Sequence, residues 1–301
     1  MARIVHVALK VDDVDALSSV YRELFGFVHT GTIVNPATKS EGRTVRSAYV
    51  AHHLNDGVID FALVRYEDDE YADEGSCGSQ RTGIHHFGIE VADPEATAKR
   101  IRELGGEVLT APGTLPVKFR SPGGICAEAI PEKRFSPERI IQAAKSAKRK
   151  EIEQGLPPST YAVASLPLHE GPIRRDKATP AITHIACKVD DCEAVAKFFS
   201  DAFGLEIVER GDEGGRKSVR LSDGEFGVEF VTFGNAGAPV AQFAGADTCI
   251  HHFTVGVDAS KIKQMEPRLR ELGCEVANDE ITHTALFKLP PDGTVLAIAA
   301  K

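Results

Sequence analysis

The sequence predicts an α+β protein made of two tandem copies of one module, joined by a charged linker. Three ordered matches predict it. IVHVALKVDD (4–13) returns as ITHIACKVDD (182–191), IHHFGIEVAD (84–93) as IHHFTVGVDA (250–259), and SPGGICAEAI (121–130) as PPDGTVLAIA (290–299). Matches in the same order at similar offsets are the mark of duplication. His6 and His184 are 178 residues apart, and so are Gly26 and Gly204.

Each copy also repeats within itself. His6 and His86 both open an alternating strand that ends in Val and Asp. Period-two alternation marks a half-buried strand. Helical periodicity follows at 14–24 and at 94–104, with a Gly just beyond each end to take the left-handed cap. The unit reads strand, helix, then several short strands. TVRSAYVAHH (44–53) and VIDFALVRY (58–66) form a hairpin through the turn LNDG. Residues 117–120 and 125–130 are closing strands, with a turn at PGG.

After Ile130 the alternation stops. Residues 136–152 read as a helix, with Ser136 as its cap and Pro137 at its first position. The Pro-rich stretch that follows reads as an irregular connection. The expected division is a first module at 1–133, a linker at 134–179 and a second module at 180–301.

Composition narrows the function. A chain of 301 residues with 42% hydrophobic residues builds a core without staples. The six cysteines form no CxxC pair, so reduced thiols are expected. A net charge of -9 disfavours nucleic acid. No apolar run reaches the roughly 18 residues of a membrane span, and the N-terminus lacks the pattern of a signal peptide. The expectation is a cytoplasmic protein acting on a small molecule, with homo-oligomers allowed.

The motifs HVALKVDD, YRELFGF, GIHHFGIEVADPEATAKRIRELGGEV and SPGGICAE, with their counterparts in the second copy, resemble the vicinal oxygen chelate superfamily. That superfamily includes glyoxalases, methylmalonyl-CoA epimerases and extradiol ring-cleaving dioxygenases. The resemblance covers both modules and omits only the linker. It implies that each module pairs two β-α-β-β-β units into one cupped, half-open sheet. It also implies four ligand places. These hold His6, Asp60, His86 and Glu128 in the first module, and His184, Glu229, His252 and Ala297 in the second.

The residues themselves agree in part. Imidazole nitrogen and carboxylate oxygen suit one divalent ion, with Fe(II) favoured and Mn, Zn or Ni as alternatives. His6 and His86 stand where an apolar residue is expected to alternate. Glu128 lies on the face of Cys126 and Ile130, where a buried carboxylate needs a partner. His85, next to His86, is expected to face the other way. The expected metal set is His6, His86 and Glu128. Asp60 is open between a fourth ligand, a base and a surface turn acid. Ala297 removes the last acid from the second module, so a metal there is in doubt even with His184, Glu229 and His252 present.

Two enzyme readings follow, with a non-catalytic binding protein as a third. Chain architecture favours an iron dioxygenase resembling the extradiol enzymes. Those enzymes place the metal in the second module, whereas here the complete set is in the first. Their site tyrosine falls ten residues before the last ligand, where this chain has Lys118, and Ile59 most nearly matches their fourth-strand histidine. His53 is the candidate acid or base in its place. The rival is an epimerase- or glyoxalase-like isomerase or lyase, with Asp60 or Glu128 as the base. Residues 67–81 are read as a lid or an exposed acidic loop, and Glu225 and His283 have no assigned role.

Overall fold

The computed structural model describes residues 2–40, 43–67, 82–153, 166, 168–171, 173, 179–245, 248–279, 284–290 and 293–300. The first half runs β1 (Arg3–Lys10), α1 (Val14–Phe25), β2 (Val28–Asn35), β3 (Thr38–Ser40), β4 (Arg43–Arg46), β5 (Tyr49–Asn55), β6 (Asp60–Tyr66), β7 (Gly83–Val91), α2 (Pro94–Glu103), β8 (Glu107–Val108), β9 (Val117–Arg120) and β10 (Cys126–Pro131). Helix α3 (Pro137–Glu153) follows. The second half runs β11 (Ala181–Lys188), α4 (Cys192–Phe203), β12 (Glu206–Glu213), β13 (Arg216–Ser222), β14 (Gly227–Phe233), α5 (Pro239–Gln242), β15 (Cys249–Val257), α6 (Ala259–Glu271), β16 (Glu275–Asp279), β17 (Thr284–Lys288) and β18 (Val295–Ala300).

Each half forms one mixed eight-stranded open sheet. The orders are β2-β5-β6-β1-β7-β10-β9-β8 and β12-β13-β14-β11-β15-β18-β17-β16, which are the same order. The two expected tandem modules, each of two paired β-α-β-β-β units, are therefore present. Within each sheet the two units join along one antiparallel seam, β1 on β7 and β11 on β15.

The repeated Val-Asp motif is a helix start. Asp13 accepts from the amides of Asp15 and Ala16, and Asp93 and Asp191 cap α2 and α4 in the same way. Such caps contribute about 1 kcal/mol each. Gly26 ends α1 at φ 73°, a conformation that favours Gly. The expected hairpin forms over a narrower span. Its strands are β5 and β6, while residues 43–46 belong to the separate β3–β4 pair. Helix α3 appears as expected, with the Ser136 hydroxyl accepting from the amide of Arg139. It lies on β2, where a Cβ on Gly31 would come to 3.0 Å from Ile140 and Ala144. Most of the expected irregular connection, residues 68–81 of the acidic segment, Cys77 and His283 lie outside the described residues.

Alternation sends one face of each strand to a core shared by both halves. In α1, Tyr21 packs on Phe61 and on Phe253 of the second sheet, while in α4 Phe199 packs on Phe230 and on Phe87 of the first. Each fully buried Phe contributes about 1.5–3 kcal/mol. The halves also exchange a matching pair of amide-to-aspartate hydrogen bonds. The amide of Ile182 donates to Asp56 at 2.7 Å, and the amide of Ile4 donates to Asp223 at 2.7 Å. The other face of each sheet carries the polar residues considered next.

Candidate metal centre

Strand register sets the candidate site on one transverse row of the first sheet. Asp60 pairs with His6, His6 with Gly88, Gly88 with Glu128, and Glu128 with Lys118, across β6, β1, β7, β10 and β9. Residues paired across a sheet share a face. The gap in the row is Gly88, where a Cβ would meet Ile130 Cδ1 at 2.1 Å and His6 Cβ at 3.0 Å. His86, two residues before Gly88, shares that face.

One donor atom each from His6, His86 and Glu128 lie within 4.8 Å of one another, and all three residues are buried. His86 Nε2 is 3.3 Å from Glu128 Oε1. Lys118 Nζ is 3.7 Å from the same oxygen. Glu128 Oε2 is buried without a hydrogen-bond partner. An ionised carboxylate oxygen in that state is costly unless a cation reaches it. Burial, with His85, Lys118 and His6 nearby, holds His86 well below the ordinary imidazole value, so the ring is neutral and has a lone pair to donate. The residues fit a divalent metal.

Asp60 is fully inside, at 1% exposure, which rules out a surface turn acid. Its Oδ2 is 2.6 Å from His6 Nδ1, and both its oxygens are 3.0 Å from His53 Nδ1. Burial alone raises the Asp60 pKa, but the imidazoles of His53 and His6 outweigh it and hold the carboxyl below its ordinary value. An ionised carboxylate only accepts, so both rings donate from Nδ1. That leaves Nε2 of His6 for a metal. Asp60 thus stands behind a candidate ligand histidine, an arrangement that fixes tautomer and orientation where a metal is held.

His53 is buried beside this pair, and Phe135, between β10 and α3, stacks on His6 with centroids 4.1 Å apart. Sequence reasoning missed Phe135, since nothing in its local pattern marks it. It missed Gly88 too, although the repeat aligns that Gly with Thr254. The structure also corrects the reading of His85. A register shift between His86 and Ile84 places a bulge at His85, and the Nδ1 atoms of His85 and His86 are 2.9 Å apart. Strict alternation fails at that point.

The second sheet keeps the row and changes its chemistry. Gly227 pairs with His184, His184 with Thr254, Thr254 with Ala297, and Ala297 with Leu286. Gly227 therefore stands where Asp60 stands in the first sheet. Glu229 pairs with Ala186 as Ala62 pairs with Ala8, so it is not the counterpart of Asp60. It is instead 3.2 Å from Arg216. The Thr183 hydroxyl donates to Thr254 O at 3.3 Å, so it accepts from His184 Nδ1 at 3.2 Å. The Thr254 hydroxyl then donates to His184 Nε2 at 3.0 Å. Among the described residues, the one such metal-ligand group is that of His6, His86 and Glu128.

The comparisons with known proteins agree with this architecture. The Glyoxalase/Bleomycin resistance protein/Dioxygenase superfamily matches residues 3–124 and 181–287. Among solved structures, a mutant of 4-hydroxymandelate synthase from Streptomyces coelicolor superposes with a TM-score of 0.61 at 15% identity, covering 99% of this chain and 92% of that one. The 2,2',3-trihydroxybiphenyl 1,2-dioxygenase of Sphingomonas wittichii strain RW1 gives 0.52 at 13% identity, covering 99% and 90%. A halotolerant catechol dioxygenase gives 0.52 at 11% identity, covering 99% and 86%. At these identities the likeness is one of fold. Among curated proteins no match was found. With both halves matched by one family, the chain belongs to the Glyoxalase/Bleomycin resistance protein/Dioxygenase superfamily.

Proposed function

We propose that this chain is a metal-dependent enzyme whose first half, residues 1–133, binds a small substrate through neighbouring oxygens, and that it is a non-haem Fe(II) dioxygenase. The carrying observation is the convergence of two imidazoles and one carboxylate, His6, His86 and Glu128, on one face of the first sheet. Two histidines and one carboxylate are the facial set that suits ferrous iron, and three protein ligands leave further positions for small molecules. The names of the two similar dioxygenases support the same direction.

A bound metal would supply Lewis acidity and a template for two substrate oxygens. The chain's own residues supply the rest. Asp60 holds His6 through Nδ1 and so keeps Nε2 aimed as a ligand. The same carboxylate accepts a hydrogen bond from His53 Nδ1–H, which leaves His53 Nε2 as the atom that accepts a proton from a substrate hydroxyl. Once His53 is charged, Asp60 balances it. Lys118, in the place of the extradiol tyrosine, puts a cation on the floor next to Glu128, where it stabilises a developing oxyanion. The engagement of Asp60 with two histidines weighs against Asp60 as the mobile base of an isomerase or lyase. We read residues 134–179 as a linker and 180–301 as a partner module. No helix among the described residues is long and apolar enough to cross a membrane.

The test is metal analysis of anaerobically purified protein beside Glu128→Ala and His252→Ala. About one iron per chain is expected, lost in Glu128→Ala and kept in His252→Ala. Oxygen uptake with a panel of catechols should follow the iron. Stoichiometric zinc or nickel without oxygen uptake favours an isomerase or lyase. A protein that holds no metal after reconstitution overturns both enzyme readings.

A further inference from the structure

The second half keeps an open cleft of about 690 Å³ on its polar face, lined in part by His184, His252, Thr254, Arg216, Arg220 and Glu229. Among the described residues it carries no metal-ligand group. Other residues have taken the same face.

Arg216 and Arg220 lie four apart on β13 and so project to one side. By register they stand where Tyr49 and His53 stand in the first sheet. Arg216 pairs with Phe233 as Tyr49 pairs with Tyr66, and Arg220 pairs with Glu229 as His53 pairs with Ala62. The place of His53, the proposed proton acceptor of the first half, is thus a guanidinium in the second.

Arg216 and Arg220 share one buried carboxylate. Glu229, itself buried, is 3.2 Å from Arg216 and 4.0 Å from Arg220. One carboxylate faces two guanidiniums, which cannot lose their charge. The second contact of Arg220 is to Glu209 at 2.9 Å, an exposed side chain and hence a weak partner. The side chain of Arg216 is only 10% exposed. The Nε atoms of both arginines are buried without a hydrogen-bond partner. These Nε–H groups are too enclosed for a ligand to reach, so a bound carboxylate would meet the Nη ends of the guanidiniums. The two histidines add no positive charge. Burial, followed by Arg220 and Arg216, holds His184 down to about 3, and burial with His251 holds His252 well below its ordinary value.

We propose that the second cleft binds a small organic monocarboxylate without metal, through the guanidiniums of Arg216 and Arg220. A planar carboxylate matches the guanidinium fork. With Glu229 shared between two guanidiniums and the buried Asp279 also lining the cleft, the floor has room for no more than a single added negative charge. The exposed acids Glu209, Glu213 and Glu225 around the cleft disfavour a phosphate dianion more than a monoanion. Neutral His184 and His252 and the Thr254 hydroxyl leave a polar wall for the rest of the molecule. This proposal is independent of the metal at His6, His86 and Glu128.

The test is titration calorimetry of the full chain with benzoate, pyruvate and hexanoate, against benzamide and inorganic phosphate. The wild type, Glu128→Ala, Arg216→Gln and Arg220→Gln are compared, with circular dichroism as the check on folding. At least one carboxylate should bind the wild type and Glu128→Ala equally, and bind Arg220→Gln about tenfold more weakly or worse. Arg220 is the more exposed of the pair, so its variant decides the matter if Arg216→Gln unfolds. The proposal is overturned if none of the three carboxylates binds. It is equally overturned if Arg220→Gln binds like the wild type, if binding is lost in Glu128→Ala, or if phosphate or benzamide binds as tightly.

Discussion

The Thr254 hydroxyl lies 3.0 Å from His184 Nε2, the ring atom whose counterpart on His6 is left to a metal. Thr254 and Gly88 occupy the same place in the register of their sheets, next to those two histidines. A side chain at this place spends the histidine lone pair on a hydroxyl, and its absence keeps the lone pair available. The difference between the two halves therefore rests on a Gly as much as on the loss of Glu128 to Ala297.

Gly88→Thr should reproduce the second half's state in the first. Its Cβ would start 2.1 Å from Ile130 Cδ1, an overlap that the side chain of Ile130 must relieve by moving. Overpacking of this kind costs about 1–3 kcal/mol. Metal content after dialysis should fall by more than half, and the melting temperature should drop by several degrees. A variant that keeps its full metal complement would separate Gly88 from the site.

Asp60→Asn tests the carboxylate behind His6. An amide cannot accept from two imidazoles with a full charge, so His6 loses its fixed tautomer and His53 its counter-charge. Losses at such supporting positions run to about 10–100-fold in metal affinity. Competition with a chelator should show a drop of that size while the fold persists. An unchanged affinity would mean that the 2.6 Å contact between His6 and Asp60 is structural only.

Much of this site was legible in the sequence, for identifiable reasons. His6, His86 and Glu128 each broke an apolar alternation, and their spacing matched a known motif, so they could be named together. The helix starts at Asp13 and Asp93 were visible where each alternating strand ends in Val and Asp. Glu229 was misplaced because motif alignment counts along the chain, whereas β14 is set by pairing across the sheet, two residues out of step. The contact between His85 and His86 was hidden because a bulge leaves no local signature in this stretch. Phe135 was invisible because it reaches His6 only after β10 has turned toward α3.

Acid should weaken the fold through its buried histidines. Burial, with His29, His53 and Arg22 nearby, holds His52 down to about 3, and burial holds His251 down to about 4. In the unfolded chain both titrate near about 6.5. Folded values below unfolded ones mean that the unfolded chain binds more protons. The stability is then fully present above about pH 6.5 and is lost as pH falls toward 4 and 3. At pH 5 each buried ring contributes a loss of at most about 2 kcal/mol. Urea denaturation at pH 7, 6 and 5 should show a falling midpoint, and His52→Gln should flatten the slope by about one proton. A midpoint independent of pH across this range would contradict the depressed values.

The exchanged hydrogen bonds of Asp56 and Asp223 predict how the two halves hold together. Asp56 Oδ1 accepts from the amides of Val58 and Ile59 and so closes its own turn, while Oδ2 accepts from Ile182 in the other half. Asp223 does the same with Glu225 and Phe226, and with Ile4. Each residue thus couples a hairpin turn to the first strand of the opposite half. Asp56→Ala leaves the buried amide of Ile182 without its acceptor and frees the turn, a combined cost of about 2–4 kcal/mol. Asp56→Asn keeps a carbonyl acceptor and should recover part of that loss. Because the halves share one core and Asp223 still bridges them, unfolding of Asp56→Ala should remain a single transition at a lower urea midpoint. Two separate transitions would show that the halves fold independently and that the exchanged bonds do not couple them.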